Sequence, residues 1–185
     1  MGNKGMSKYL CALAVLAVIS VPADVLAQDR VWNRYTLEGL GGVFVRTEAD
    51  DPCESVGVTR RDVQADAEAI LLESEVELLT EGEMLRNPGL PELRITLECV
   101  VGEGDGASGA VGYSVSVRVQ QSAQMTRNSQ ISLPEAVTWW STAVGVAGSE
   151  NVKTALEEDL RVTLEEFATA YIEANTEEED DSGGR

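Results

Sequence analysis

The chain has 185 residues with 32 acidic and 14 basic side chains, a net charge of −18, and no histidine. Without histidine a Ser-His-Asp or Cys-His catalytic arrangement is excluded, and so is any His-bearing zinc site. So acidic a surface also speaks against nucleic acid as a partner, because phosphate binding needs a basic stripe that releases counterions.

Lys4 and Lys8 form a positive n-region ahead of the apolar run from Leu10 to Val21, and Val25 and Ala27 stand where a signal peptidase reads. Cleavage after Ala27 is expected, because about 12 apolar residues fall short of the ~20 that span a bilayer. Cys11 opens the apolar run instead of closing it, which argues against a lipid anchor. The protein is therefore expected to be exported, periplasmic or secreted, and not membrane-spanning after cleavage. Removing Lys4, Lys8 and Asp24, together +1, takes the charge from −18 to −19. That surplus has two readings: genomic composition with a well-solvated acidic surface, or adaptation to high salt, where ions screen self-repulsion.

Residues 28–175 are expected to form a single α+β domain. "GGVFVRTE" (41–48) reads as a strand, and "EADDPCESVG" (48–57) as a loop. Thr59 is placed to cap a helix over 60–74, with Asp62 three residues on and Val63, Ala67, Ile70 and Leu71 at helical spacing. "EVELLT" (75–80) reads as a second strand, and "GEMLRNPGLPE" (82–92) as a loop.

From residue 92 the alternation is strict, with Leu93, Ile95, Leu97, Cys99 and Val101 on one face. After the glycine-rich "GEGDGASG" (102–109), Val111, Tyr113, Val115, Val117 and Val119 resume it, and Ser114, Ser116, Arg118 and Gln120 point outward. The two segments predict an antiparallel pair, with a bend near 120–122 because an unbroken run would exceed the usual strand length. "TRNSQISLPE" (126–135) reads as a connector and "AVTWWSTAVGVAG" (136–148) as another strand. Ser149 is expected to cap a long helix carrying Val152, Leu156, Leu160, Leu164, Phe167 and Tyr171. The acidic tail 176–185 has no apolar residue and is expected to be disordered.

The fold class expected is α+β, a mainly antiparallel sheet of about four to five strands with two helices on one face, in the order β-α-β-β-β-β-α. If the first helix crosses over, the first strand lies parallel to a neighbour and Cys53 comes near the end of the Cys99 strand. Cys53 and Cys99 are thus a candidate disulfide, with two buried free thiols as the alternative.

No cofactor or metal is implied. The pair is not C-x-x-C, and "GEGDGASG" precedes a strand and lacks the Lys-Ser/Thr of a phosphate loop. Asp50, Asp51 and Glu54, and Glu103 with Asp105, are acidic turns without EF-hand spacing.

Two functions are consistent with this pattern. The favoured one is an exported, non-catalytic envelope or secreted module that binds a protein partner or itself. The alternative is a small exported carboxylate-dependent hydrolase, recognisable by two acids about 5–10 Å apart in a cleft. The candidate partner surface is Trp140 with Ser114, Ser116, Arg118 and Gln120, which could accept an added strand if theirs lies at an edge. An overhang of the last helix near Phe167, Tyr171 and Ile172 is a second place for self-packing. Neighbouring strand residues face opposite ways, so Trp139 and Trp140 cannot form one stacked platform. A bulge near Ser141 or Thr142 would place Val144 and Val146 with a buried Trp139 and leave Trp140 partly exposed.

Overall fold

The computed structural model describes residues 31–104, 106 and 109–176. The expected signal peptide, Asp105 and tail residues 177–185 lie outside the described residues. In chain order come a short helix α1 (Val31–Arg34), a 3-10 turn (Tyr35–Leu37), β1 (Phe44–Ala49), α2 (Asp51–Ser55), α3 (Arg60–Glu73) and α4 (Glu81–Met84). Then follow β2 (Glu92–Val101), β3 (Ala110–Met125), β4 (Asn128–Gly148) and α5 (Val152–Asn175). The fold is α+β, as the hydrophobic pattern predicts. One sheet in the order β1-β2-β3-β4 has β1 parallel to β2 and its other pairs antiparallel.

Thr59 caps α3 by accepting a hydrogen bond from the Asp62 N–H at 3.2 Å. Val63, Ala67 and Leu71 of α3 and Val152, Leu156, Leu160, Leu164 and Phe167 of α5 are buried on one face of the sheet, against Leu93, Ile95 and Leu97 of β2 and Val111, Val115, Val117 and Val119 of β3. Val101, at the last position of β2, is exposed. Tyr171 is only partly buried.

Four local readings differ from the sequence expectation, each for a stated reason. The 48–57 loop contains α2, because Asp50 caps it by accepting from the Cys53 N–H at 2.9 Å and Pro52 sits in its first turn, where a missing N–H costs nothing. Residues 75–80 form no strand beyond one bridge between Val43 and Leu78. Pairing stops there because Thr80 and Glu83 form a capping box that starts α4. The 126–135 connector is instead the turn and first part of β4, paired with β3 through its backbone while residues 128–135 stay exposed and leave no burial pattern. Asn151, not Ser149, precedes α5, since the chain first makes a turn in which the Asn151 N–H donates to the Gly148 carbonyl at 2.9 Å.

The β3–β4 register is regular from Ala110 to Val119 and shifts between Val119 and Gln120 and again beyond, which is the bend expected near 120–122. Val119 faces Trp139 and Gln120 faces Val137, so the irregularity falls at Thr138 and not at Ser141 or Thr142. Trp139 is accordingly core at 1% exposure, while Val144 and Val146 stay on the outward face with Trp140. The inward row of β4 is then Trp139, Ser141, Ala143, Gly145 and Ala147, and its small members make room for Tyr113. A Cβ on Gly145 would collide with the Tyr113 ring.

The Tyr113 hydroxyl donates to Asp159 of α5 at 2.7 Å. Burial, and then this bond, push its pKa up to about 12. Because the folded value lies above the ordinary ~10, the contribution to stability is whole below pH 10 and is lost as pH rises through the folded value. Unfolding free energy is therefore expected to fall between about pH 10 and 12, and Tyr113→Phe to flatten that decline. A pH series of urea unfolding checks this, and an unchanged slope in the variant would count against it.

Candidate functional site: the open sheet face and its free edge

Helices α3 and α5 cover one face of the sheet, so the outward side chains on the other form rows that only the strand register reveals. Arg46 of β1 pairs with Arg94 of β2, Arg94 with Arg118 of β3, and Arg118 with Trp140 of β4. Three guanidinium groups and an indole thus line up across a protein with net charge −18. In the next row, Glu92 sits between Phe44 and Gln120. One Glu92 oxygen accepts from Arg46 Nε at 2.8 Å and the other from Arg94 Nε at 2.8 Å. The bond to Glu92 is also the main reason that the Arg46 guanidinium sits above its usual pKa. Arg46 lies 5.2 Å from the centroid of Phe44, in cation–π range. Arg118 Nη2 donates to Thr96 Oγ1 at 2.9 Å, whereas Arg118 Nε and Gln120 Oε1 are buried without a hydrogen-bond partner.

At this end of the face a cleft of about 380 Å³ is lined by Arg46, Glu81, Glu92, Arg94, Gln120 and Glu135, with apolar residues such as Leu90 on its wall. The Ser122 N–H donates to the Gly89 carbonyl at 2.7 Å and holds the turn before β2 over Gln120. The acids a hydrolase would use are Glu81, Glu92 and Glu135. Both oxygens of Glu92, however, are committed to arginine. The arrangement is a charge-compensated ion network that braces the sheet.

The five residues predicted as a partner surface do share the open face, with different access. Trp140 is 36% exposed, Ser114 and Ser116 are half-buried, and Arg118 is tied to Thr96. Gln120 is only 8% exposed because the 87–91 turn and Pro134 close over it, so it offers little surface to a protein. The strand that carries Ser114, Ser116, Arg118 and Gln120 is not an edge, whereas Trp140 lies on β4. β3 is paired on both sides, and an added strand finds no place there.

The edges are β1 and β4. β1 is blunted: Val43 bridges to Leu78, and Gln64 Nε2 of α3 donates to the Val45 carbonyl at 3.1 Å. Along β4, Thr36 Oγ1, which donates to the Asn33 carbonyl at 2.6 Å, lies 3.3 Å from the Thr138 carbonyl, and among the described residues no strand pairs with its outer side. From 136 to 148 this edge has no charged side chain and no proline. Its outward Val144 and Val146 are 77% and 76% exposed. Sequence periodicity misses this feature, because it shows what a strand buries and not which strand is last in the sheet.

Cys53 and Cys99 are disulfide-bonded, with Cα atoms 5.0 Å apart. The parallel β1–β2 pairing brings α2 to the end of β2. Asp50 secures the junction by accepting from the Cys53 N–H at 2.9 Å and the Cys99 N–H at 3.0 Å. Asp50, Cys53 and Cys99 are close enough to suggest metal ligands. Here, though, the sulfurs are bonded to each other and the carboxylate is engaged by two backbone amides. No helix among the described residues is long and apolar enough to cross a membrane.

No protein-family model matches the chain, and no curated protein sequence matches it. Among solved structures it is similar to a PelC dodecamer from Paraburkholderia phytofirmans, with 11% identity and a TM-score of 0.38 over 74% of this chain and 91% of that one. It is also similar to a minor lipoprotein from Acinetobacter baumannii, with 14% identity and a TM-score of 0.31 over 71% of this chain and 90% of that one.

Proposed function

We propose that the protein is an exported, non-catalytic module, one domain over 28–175, that works by holding a protein partner or another copy of itself on the β4 edge and the adjoining open face. The observation that carries this reading is the uncharged stretch 136–148, whose outer side pairs with no strand among the described residues and which turns Trp140, Val144 and Val146 outward. Proteins ordinarily protect such an edge with lysine, proline or a covering segment. The Cys53–Cys99 bridge supports an extracytoplasmic setting, where disulfides persist.

A photo-crosslinking side chain introduced in turn at Val144 and at Arg61 of α3, in the full chain and in its own exporting cells, tests the surface. Position 144 is expected to give a discrete protein adduct, either heterologous or a doubled chain, and position 61 none. Equal labelling at the two positions, or none at 144, would sink the proposal.

A further inference from the structure

We infer that the occupant of the β4 edge is a second copy of this chain, paired antiparallel about a two-fold axis at Ala143; this rests on the reading of that edge as the binding surface. The free stretch has defined ends. Its first limit is Thr138, where the β3–β4 register is bulged and Thr36 lies close by. Its other limit is Gly148, the last residue of β4. The midpoint between 138 and 148 is Ala143, so an antiparallel pair that uses the whole stretch is centred there.

This register matches the outward side chains to one another. It sets Trp140 opposite Val146 of the second copy and Thr142 opposite Val144 of the second copy, and both pairs recur across the axis. Aromatic with β-branched, and two β-branched side chains together, are stabilising cross-strand combinations. Each copy thereby flanks Trp140, Val144 and Val146, the exposed apolar side chains of this stretch, with an apolar or β-branched neighbour. On the opposite face Ala143 meets itself and Ser141 meets Gly145, small residues that let the strands approach. The two sheets join into one continuous sheet, and the interface is isologous.

Charge confines such a pair to this stretch. Two chains of net charge −18 repel over most of their surface, and the approach costs least along a strand with no charge at all. A neutral strand also has nothing with which to select an oppositely charged partner, whereas strand self-pairing needs only backbone groups and matching apolar side chains.

Light scattering on the full mature chain tests the occupant. The expected result is a mass of two chains, halved by Val144→Glu and unchanged by Val100→Glu, which places the same charge on the same face but on β2. The register is tested separately: Ala143→Cys is expected to oxidise to a covalent dimer, because facing Cα atoms of an antiparallel pair lie about 4.5–5.5 Å apart, within disulfide range. Ser116→Cys, one strand inward, is expected to stay unlinked. A wild-type mass of one chain, or a dimer that survives Val144→Glu, overturns the inference. A single-chain mass together with a heterologous adduct at position 144 overturns the second copy alone and leaves the binding surface standing, whereas a dimer with no adduct at 144 removes both.

Discussion

Replacing Cys53 and Cys99 together by serine is expected to cost about 4 kcal/mol of stability, on the loop-entropy relation for a bridge that closes a 46-residue separation. For a chain of this size that corresponds to a melting temperature lower by roughly 8–16 °C. The loss arises mainly in the unfolded ensemble, which the bridge keeps compact, and not in native contacts. Native geometry supports that view: Asp50 already ties α2 to β2 through the Cys53 and Cys99 amides, so the junction keeps its hydrogen bonds when the sulfurs are gone. Urea unfolding separates the two origins. An entropic effect lowers the midpoint and raises the m-value, since the unlinked chain exposes more surface on unfolding. A variant with an unchanged midpoint would contradict the expectation. Reduction of the wild type should reproduce the serine variant. The effect is large because the bridge closes a separation of 46 that takes in all of α3.

Much of this fold is legible in the sequence. The alternation from Leu93 to Cys99 and from Val111 to Val119, and the stripe from Val152 to Phe167, mark the core that is found buried. Thr59 with Asp62 marks the start of α3. The crossover argument for Cys53 and Cys99 also holds, because parallel pairing of the first strand is all it needs. The site is less legible. The row Arg46, Arg94, Arg118 and Trp140 is assembled from four strands, and no local pattern reveals a register between segments so far apart. The free edge depends on sheet order, which periodicity does not encode. The pattern of β4 misleads for a further reason. Its larger aliphatic side chains, Val144 and Val146, face solvent, and its small ones face the core, because Tyr113 and α5 occupy the space that larger residues would need. Hydrophobicity alone therefore puts the wrong face inward beyond Thr142, and only the packing partner corrects it.

The same pair of faces predicts opposite outcomes for adjacent tryptophans. Trp139→Ala is expected to cost about 3–5 kcal/mol, and Trp140→Ala less than about 1 kcal/mol in the single chain. Trp139 is 1% exposed and meets Phe167 of α5 edge-on with centroids 5.3 Å apart, and Phe167 in turn stands 5.9 Å from Tyr171. Truncation at 139 removes the largest side chain that joins β4 to α5, and the surrounding residues, held by the sheet on one side and the helix on the other, collapse only partly into the space. Trp140 is 36% exposed beside Arg118, and its loss leaves no cavity. Trp139→Phe adds a finer test. The indole Nε1 is buried without a partner, so phenylalanine removes an unsatisfied donor while keeping an aromatic ring against Phe167. Its cost is expected to fall well below that of alanine. Unfolding followed by circular dichroism at concentrations where the protein is a single chain reads all three variants without relying on tryptophan emission. Equal losses at 139 and 140 would mean that both faces of β4 are covered, which would remove the open face on which the binding surface rests.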